Sequence, residues 1–239
     1  KEYCQQENIT LIEDAAHAIG ASIQGGYAGN IGDISCFSFY PTKIMTTAEG
    51  GMLLCSDKDL FEKATSFRNR GRDINTQGEV YSRLGTNNRM TEFAALLGIS
   101  QLKCLNNFLE TRRMIARIYN EKIQVSDVSH LVQPIIVPEE INHSYWRYLI
   151  TLDPSINREV IKEELAKDNI ASDWAYYPAL HLQPYFMQQY KTYKGLCPVA
   201  EDSLERNICL PINSIMQQED AVFIVEKFIV AIKKSLCIK

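Results

Sequence analysis

The stretches ITLIEDAAHAIG (9–20) and ISCFSFYPTK (34–43) decide the fold. Each is a short apolar run that ends in residues able to do chemistry: the first in Glu13 and Asp14, the second in a Pro41 turn followed by Lys43. Short apolar runs bounded by turn residues read as buried strands, and functional groups at strand ends are a habit of α/β sheets, where a rigid backbone meets an open loop. GGMLLCS (50–56) adds a third strand, and DKDLFEKATSFRNR (57–70) a helix. Asp57 stands as its N-cap, with Leu60, Phe61, Ala64 and Phe67 on one face. The alternation argues for an α/β sheet.

Further along, the punctuation changes. Eleven of the twelve glycines fall at or before Gly98, and seven of the eight prolines at or after Pro134. Between them, Thr91 to Gln124 carries apolar residues at helical spacing without proline, which reads as two successive helices, the second bridging two lobes. The boundary is set at 124/125. The second lobe reads as strands at LVQPIIV, SYWRYLITL and NIASDW, a helix at NREVIKEELAKD and further helices including EDAVFIVEKFIVAIKK, a small α+β domain. The chain opens on the last turns of a helix, EYCQQEN, and drops directly into a strand, which points to a portion preceding Lys1.

Composition sets outer limits. The 239 residues are 46% hydrophobic and 23% charged, which excludes a disordered chain. A net charge of −4 argues against affinity built on nucleic-acid phosphates. No apolar run approaches a membrane span, and the first residues lack the parts of a signal peptide. Seven scattered cysteines without a C-x-x-C pair suggest no metal site; they read as small core residues with free thiols in a cytoplasmic protein.

Taken alone, each polar candidate has an ordinary explanation. Lys43 could be a solvated loop charge, Asp14 the N-cap of a helix over AAHAIG, His17 a packed core histidine and His181 a surface loop residue. Gly50 and Gly51 allow either close backbone approach or a plain turn. Arg68, Arg70 and Arg72 could steer a nucleotide diphosphate, but with Gly71 marking a turn they read as an ordinary solvated loop.

Together, EDAAHA (13–18), G-x-x-G-D (29–33), SFYPTK (38–43), EGG (49–51), RNRG (68–71) and GTNNRMTEFAALLGISQL (85–102) resemble the DegT/StrS family of pyridoxal-phosphate sugar aminotransferases. HSYWRYLITL (143–152), YYPALHLQPYF (176–186) and CPVAEDSLERNICLPI (197–212) extend the resemblance over essentially the whole chain. It implies a fold-type I transferase: an incomplete large domain with a mainly parallel sheet over residues 1–124, and a small α+β domain over 125–239. It also implies pyridoxal 5'-phosphate bonded to Lys43, with Asp14 on the pyridine nitrogen, His17 beside the ring or its phenolic oxygen, and Ser38 at the phosphate. Asn87 matches the asparagine that reaches the neighbouring subunit's phosphate, so that a homodimer would share its active sites. Arg89 and His181 match substrate-side residues. The implied reaction moves an amino group, with glutamate as the expected donor, to a nucleotide-linked keto-deoxysugar. Two other readings stand beside it. A noncatalytic regulatory relative could retain the fold, and a pyridoxamine-phosphate sugar dehydratase would carry histidine where this chain has Lys43. The family's Gly-rich phosphate loop and stacking aromatic residue, expected upstream of EDAA, have no counterpart in the 239 residues.

Overall fold

The computed structural model describes residues 1–172 and 176–237. In chain order, the first elements are α1 (Glu2–Gln6), β1 (Ile12–Asp14), β2 (Ser22–Ile23), β3 (Gly26–Tyr27), β4 (Ile34–Ser38), β5 (Gly51–Cys55), α2 (Lys58–Arg68) and α3 (Glu92–Gln124). There follow β6 (Val132–Pro134), β7 (Ile141–Asn142), β8 (Tyr148–Leu152), α4 (Arg158–Lys167), α5 (Pro184–Tyr190), α6 (Pro198–Arg206), β9 (Asn207–Leu210) and α7 (Gln218–Cys237). The chain divides into two compact units, residues 1–109 with 138–146, and residues 110–137 with 147–239.

The first unit is organised by a sheet of order β1-β4-β5. β1 and β4 are parallel, with Ile12, Glu13 and Asp14 opposite Ile34, Ser35 and Cys36. The expectation of a mainly parallel sheet holds for that pair, whereas β5 runs antiparallel to β4. The link between Ser38 and Gly51 is a loop rather than a helical crossover, and a direct return of that kind reverses the chain. Asp57 caps α2 as expected, its carboxylate accepting from Leu60 N at 2.8 Å. A small sheet β3-β2-β7 was not anticipated; its two-residue turn holds Gln24 and Gly25 at φ 49° and 82°, the left-handed pair that suits a tight hairpin.

Where two helices were expected over 91–124, there is one of 33 residues. Nothing in it breaks a helix except Gly98, and that glycine answers a close approach: a Cβ there would stand 2.9 Å from Thr47 Cγ2. The cysteines also differ from expectation. Of the side chains described, only Cys209 is buried, while Cys36, Cys104 and Cys197 are exposed. Along β4, Ser35 is the buried residue, so its neighbour Cys36 takes the opposite, open face.

The second unit has its own core. The antiparallel sheet β6-β8-β9 turns Tyr148, Ile150 and Leu152 inward. Ile161 and Leu165 of α4 and Val225, Phe228 and Ile232 of α7 are likewise fully buried, each such side chain contributing on the order of 1.5–3 kcal/mol. Tyr119 stands edge-on to Tyr148 at 4.9 Å between ring centres and donates its hydroxyl to Pro211 O at 2.7 Å. The strand expected over NIASDW (169–174) is not formed by residues 169–172, where Asn169 turns the chain out of α4 at φ 57°. Asp173 and Trp174 lie outside the described residues.

Candidate active site

The two acidic residues of β1 face opposite ways, as consecutive strand residues must, and do different work. Glu13 is structural. Its carboxylate accepts from the backbone N–H of Gly29 at 2.8 Å, Ile31 at 2.6 Å and Gly32 at 2.5 Å. Partial burial works to raise its pKa, but these three donors and the charge of Lys1 outweigh it, and the carboxyl sits below its ordinary value. Asp33 closes the same loop by accepting from Leu11 N at 2.8 Å. The G-x-x-G-D segment is therefore a brace for the base of β1.

Asp14, by contrast, is exposed at the carboxyl end of the strand. One oxygen accepts from Ala16 N at 3.1 Å, which makes a turn and not the helix cap allowed by the sequence. Ala15 is buried and donates its N–H to Cys36 O at 3.0 Å, so the end of β1 is locked to β4. His17 follows on that turn.

β4 ends at Ser38, whose hydroxyl accepts weakly from Tyr40 N at 3.4 Å. The loop that carries Lys43 is tied at both ends: Phe39 N donates to Gly50 O at 2.9 Å and Thr47 N to Phe39 O at 3.0 Å. Phe39, Ile44 and Met45 are buried on either side of Lys43, so the backbone is anchored while the amine remains half exposed. Gly51 belongs to close approach and not to a plain turn, since a Cβ there would lie 2.7 Å from Phe37 O.

One contributor was missed in the sequence. Trp146 belongs to the first unit, although it precedes a strand of the second. Its indole stacks on His17 at 3.6 Å between ring centres with 23° between planes, and Lys43 Nζ lies 4.5 Å from its ring centre. Its Nε1 donates to Thr42 O at 2.7 Å.

Asn87 and Arg89 are placed by the end of α2. Asn87 bridges to Asn69, Thr86 N donates to Phe67 O at 2.8 Å, Asn88 N to Arg68 O at 2.9 Å, and Arg89 reaches Asn69 Oδ1 at 2.9 Å. Arg72 bonds Gly78 O at 3.1 Å and Arg70 lies over the Tyr81 ring at 5.9 Å, contacts typical of a loop. An open, largely apolar cleft of about 1070 Å³ adjoins β5, α2 and the start of α3. Its lining includes Gly50, Gly51 and Arg89, but neither Lys43 nor Asp14.

His181 lies in the second unit. It is mostly buried, with Nε2 2.8 Å from Glu201 Oε1. That contact with His181, together with N–H groups of Gly195 and Cys197, holds the Glu201 carboxyl below its usual range in spite of desolvation. Among the described residues no cluster of His, Cys, Asp and Glu is fit to hold a metal, and no helix is long and apolar enough to cross a membrane.

The first unit thus gathers an acid, an imidazole, a hydroxyl and an amine at the carboxyl ends of β1 and β4. This donor set fits pyridoxal phosphate group by group: a carboxylate for the ring N–H, an imidazole for the phenolic side, a hydroxyl for the phosphate and an amine for the aldehyde.

Comparison with known proteins follows the same line. The model of the DegT/DnrJ/EryC1/StrS aminotransferase family matches residues 1–229. GDP-perosamine synthase of Escherichia coli O157:H7 is 33% identical over 225 residues, covering 94% of this chain and 59% of that protein. EpsN of Bacillus subtilis, which bears the name of a pyridoxal phosphate-dependent aminotransferase, is 31% identical over 226 residues, covering 93% of this chain and 56% of its own length. Among solved structures, Helicobacter pylori PseC, an aminotransferase involved in the biosynthesis of pseudoaminic acid, superimposes with a TM-score of 0.87 at 25% identity, over 98% of this chain and 62% of that one. The chain therefore spans about three fifths of the length of the relatives it matches.

Proposed function

We propose, from the premise that the chain belongs to the DegT/DnrJ/EryC1/StrS aminotransferase family, that it carries the cofactor lysine and the electron-sink acid of a nucleotide-sugar aminotransferase. The observation that carries this reading is the convergence of Lys43, His17 and Trp146 beside the paired ends of β1 and β4, where Asp14 and Ser38 stand. The amino donor is glutamate and the acceptor a nucleotide-linked keto-deoxysugar, the two using one pocket in turn. The protein works in the cytoplasm as a homodimer, with Asn87 reaching the partner's phosphate site and Arg89 and His181 on the substrate side.

Pyridoxal phosphate, when bound, supplies an aldehyde for amine capture and a cationic ring that draws electrons from the neighbouring carbon. Lys43 Nζ would serve as the nucleophile toward that aldehyde, which requires its neutral form, and as the base that holds the proton taken from the substrate carbon. Asp14 would keep the ring nitrogen protonated. Ser38 binds the phosphate with an uncharged hydroxyl, keeping a second ammonium away from Lys43. Lysine at position 43 speaks against the dehydratase reading, which needs histidine there.

The test is a half-reaction. The chain loaded with pyridoxal phosphate and given glutamate should release 2-oxoglutarate in proportion to protein; absence of 2-oxoglutarate with the cofactor bound would favour the noncatalytic reading. A panel of GDP-, UDP- and dTDP-linked keto sugars then identifies the acceptor by which one is aminated.

A further inference from the structure

We infer that Trp146 is a positioning residue that holds the Lys43 amine and the His17 ring in working order, an inference that rests on the role proposed for Lys43. Three contacts converge on this one half-buried indole. Its Nε1 is bonded to Thr42 O, the carbonyl immediately before Lys43; one face stacks on His17; and Lys43 Nζ lies 4.5 Å from its centre. A lysine has four rotatable side-chain bonds, so an unheld amine is spread over many rotamers, and a fixed aromatic face packed beside it narrows that spread by excluding the rotamers it would overlap.

The indole is itself fixed. Residues 138–146 return to the first unit, where Ile141 and Asn142 pair with Ile23 and Ser22. Ser144, only 2% exposed, donates its hydroxyl to His17 O at 3.3 Å. Tyr145 takes φ 47°, with its N–H bonded to His143 Nδ1 at 3.0 Å, a left-handed step immediately before Trp146, and the chain bends at Trp146 and Arg147 before β8 begins. The segment therefore delivers one aromatic plane to the lysine loop from about a hundred residues away in sequence.

The experiment uses the full chain with Trp174→Phe, leaving Trp146 as the single tryptophan. Pyridoxal phosphate is added and trapped with borohydride: the lysine amine condenses with the aldehyde, releasing one water, and hydride reduces the new carbon–nitrogen double bond to a stable secondary amine. Peptide mass spectrometry reads the rate at each lysine. Lys43 is expected to label at least tenfold faster than the surface lysines. Trp146→Leu should slow Lys43 at least tenfold while surface lysines are unaffected, and Trp146→Phe, which keeps an aromatic face, should restore most of the rate. Lys43 labelling at the unmodified rate in Trp146→Leu overturns the inference and leaves the aminotransferase reading standing; no preference for Lys43 before any change at Trp146 removes that reading and the inference with it. Should Trp146→Leu fail to fold, the emission of Trp146 decides: Lys43→Met is expected to change its intensity or maximum, and an identical spectrum overturns the contact.

Discussion

Asp14 stands opposite Cys36 in parallel register, which brings the carboxyl ends of β1 and β4 side by side. Adjacent strands lie about 4.8 Å apart, and Ser38 is two residues beyond Cys36, so an acid and a hydroxyl share one end of the sheet. The loop that follows is tied back to Phe39 and Gly50 and presents Lys43. Sheet register, more than any single side chain, determines which groups can meet one ligand.

Asp14→Asn removes the charge and little else, because the amide oxygen can still accept from Ala16 N. Cofactor capture at Lys43 should persist, while the half-reaction with glutamate slows on the order of 10²-fold or more. Stopped-flow measurement of that half-reaction checks this, and an unchanged rate would take Asp14 out of the electron-sink role.

Glu13→Ala should destabilise the first unit by about 2–3 kcal/mol, since three backbone donors lose a charged acceptor. The sign of the pH effect follows from the lowered carboxyl of the folded state. Its contribution is present above the ordinary value of 4.5 and is lost as pH falls through the folded value. Urea unfolding of the intact chain should therefore show a smaller gap between Glu13 and Glu13→Ala at pH 3 than at pH 7.

Gly71→Ala should loosen the segment that carries Asn87 and Arg89. Gly71 has φ 82°, and a Cβ would be 1.7 Å from Arg83 O, a backbone atom that cannot turn aside. A cost of about 1–3 kcal/mol for the conformation alone is expected, with more from the clash. Hydrogen exchange should rise over residues 69–89 and stay unchanged in the second unit.

Tyr119→Phe removes the hydroxyl that the fully buried Tyr119 donates to the part-buried Pro211 O and should cost about 1 kcal/mol. Burial, aided by the charge of Asp220, holds the Tyr119 hydroxyl above its ordinary pKa. A group raised in the folded state stabilises fully below its unfolded value near 10 and stops doing so as pH climbs through the folded one. Spectrophotometric titration of the folded chain should show more tyrosine ionising at alkaline pH in Tyr119→Phe, relative to its tyrosine content, than in the unmodified chain.

The sequence was most legible where local chemistry and tertiary packing agree. β4, β5 and α2 could be read from apolar runs and the Asp57 cap; Lys43 and Asp14 stood out as candidates at strand ends, whereas Ser38 came only with the family resemblance. It was least legible where a residue serves a neighbour distant in sequence. The two helices expected over 91–124 are one, and the glycine inside it, Gly98, answers to Thr47, 51 residues away in sequence. β2, β3 and β7 have two residues each, too few for any periodicity. β9 is buried at all four positions, so it has no alternation to reveal it. Trp146 has the same parity as Tyr148, Ile150 and Leu152 and so reads as another inward strand residue, but the chain bends at Trp146 and Arg147 before β8 begins, and the indole lies against Lys43.

The most direct measurement is the visible absorbance of the chain with pyridoxal phosphate, recorded for the unmodified protein and for Lys43→Ala. The unmodified chain should develop a band that Lys43→Ala lacks and that fades on addition of glutamate. A band of equal strength in Lys43→Ala, or none in either protein, would contradict the assignment of residue 43 as the cofactor lysine.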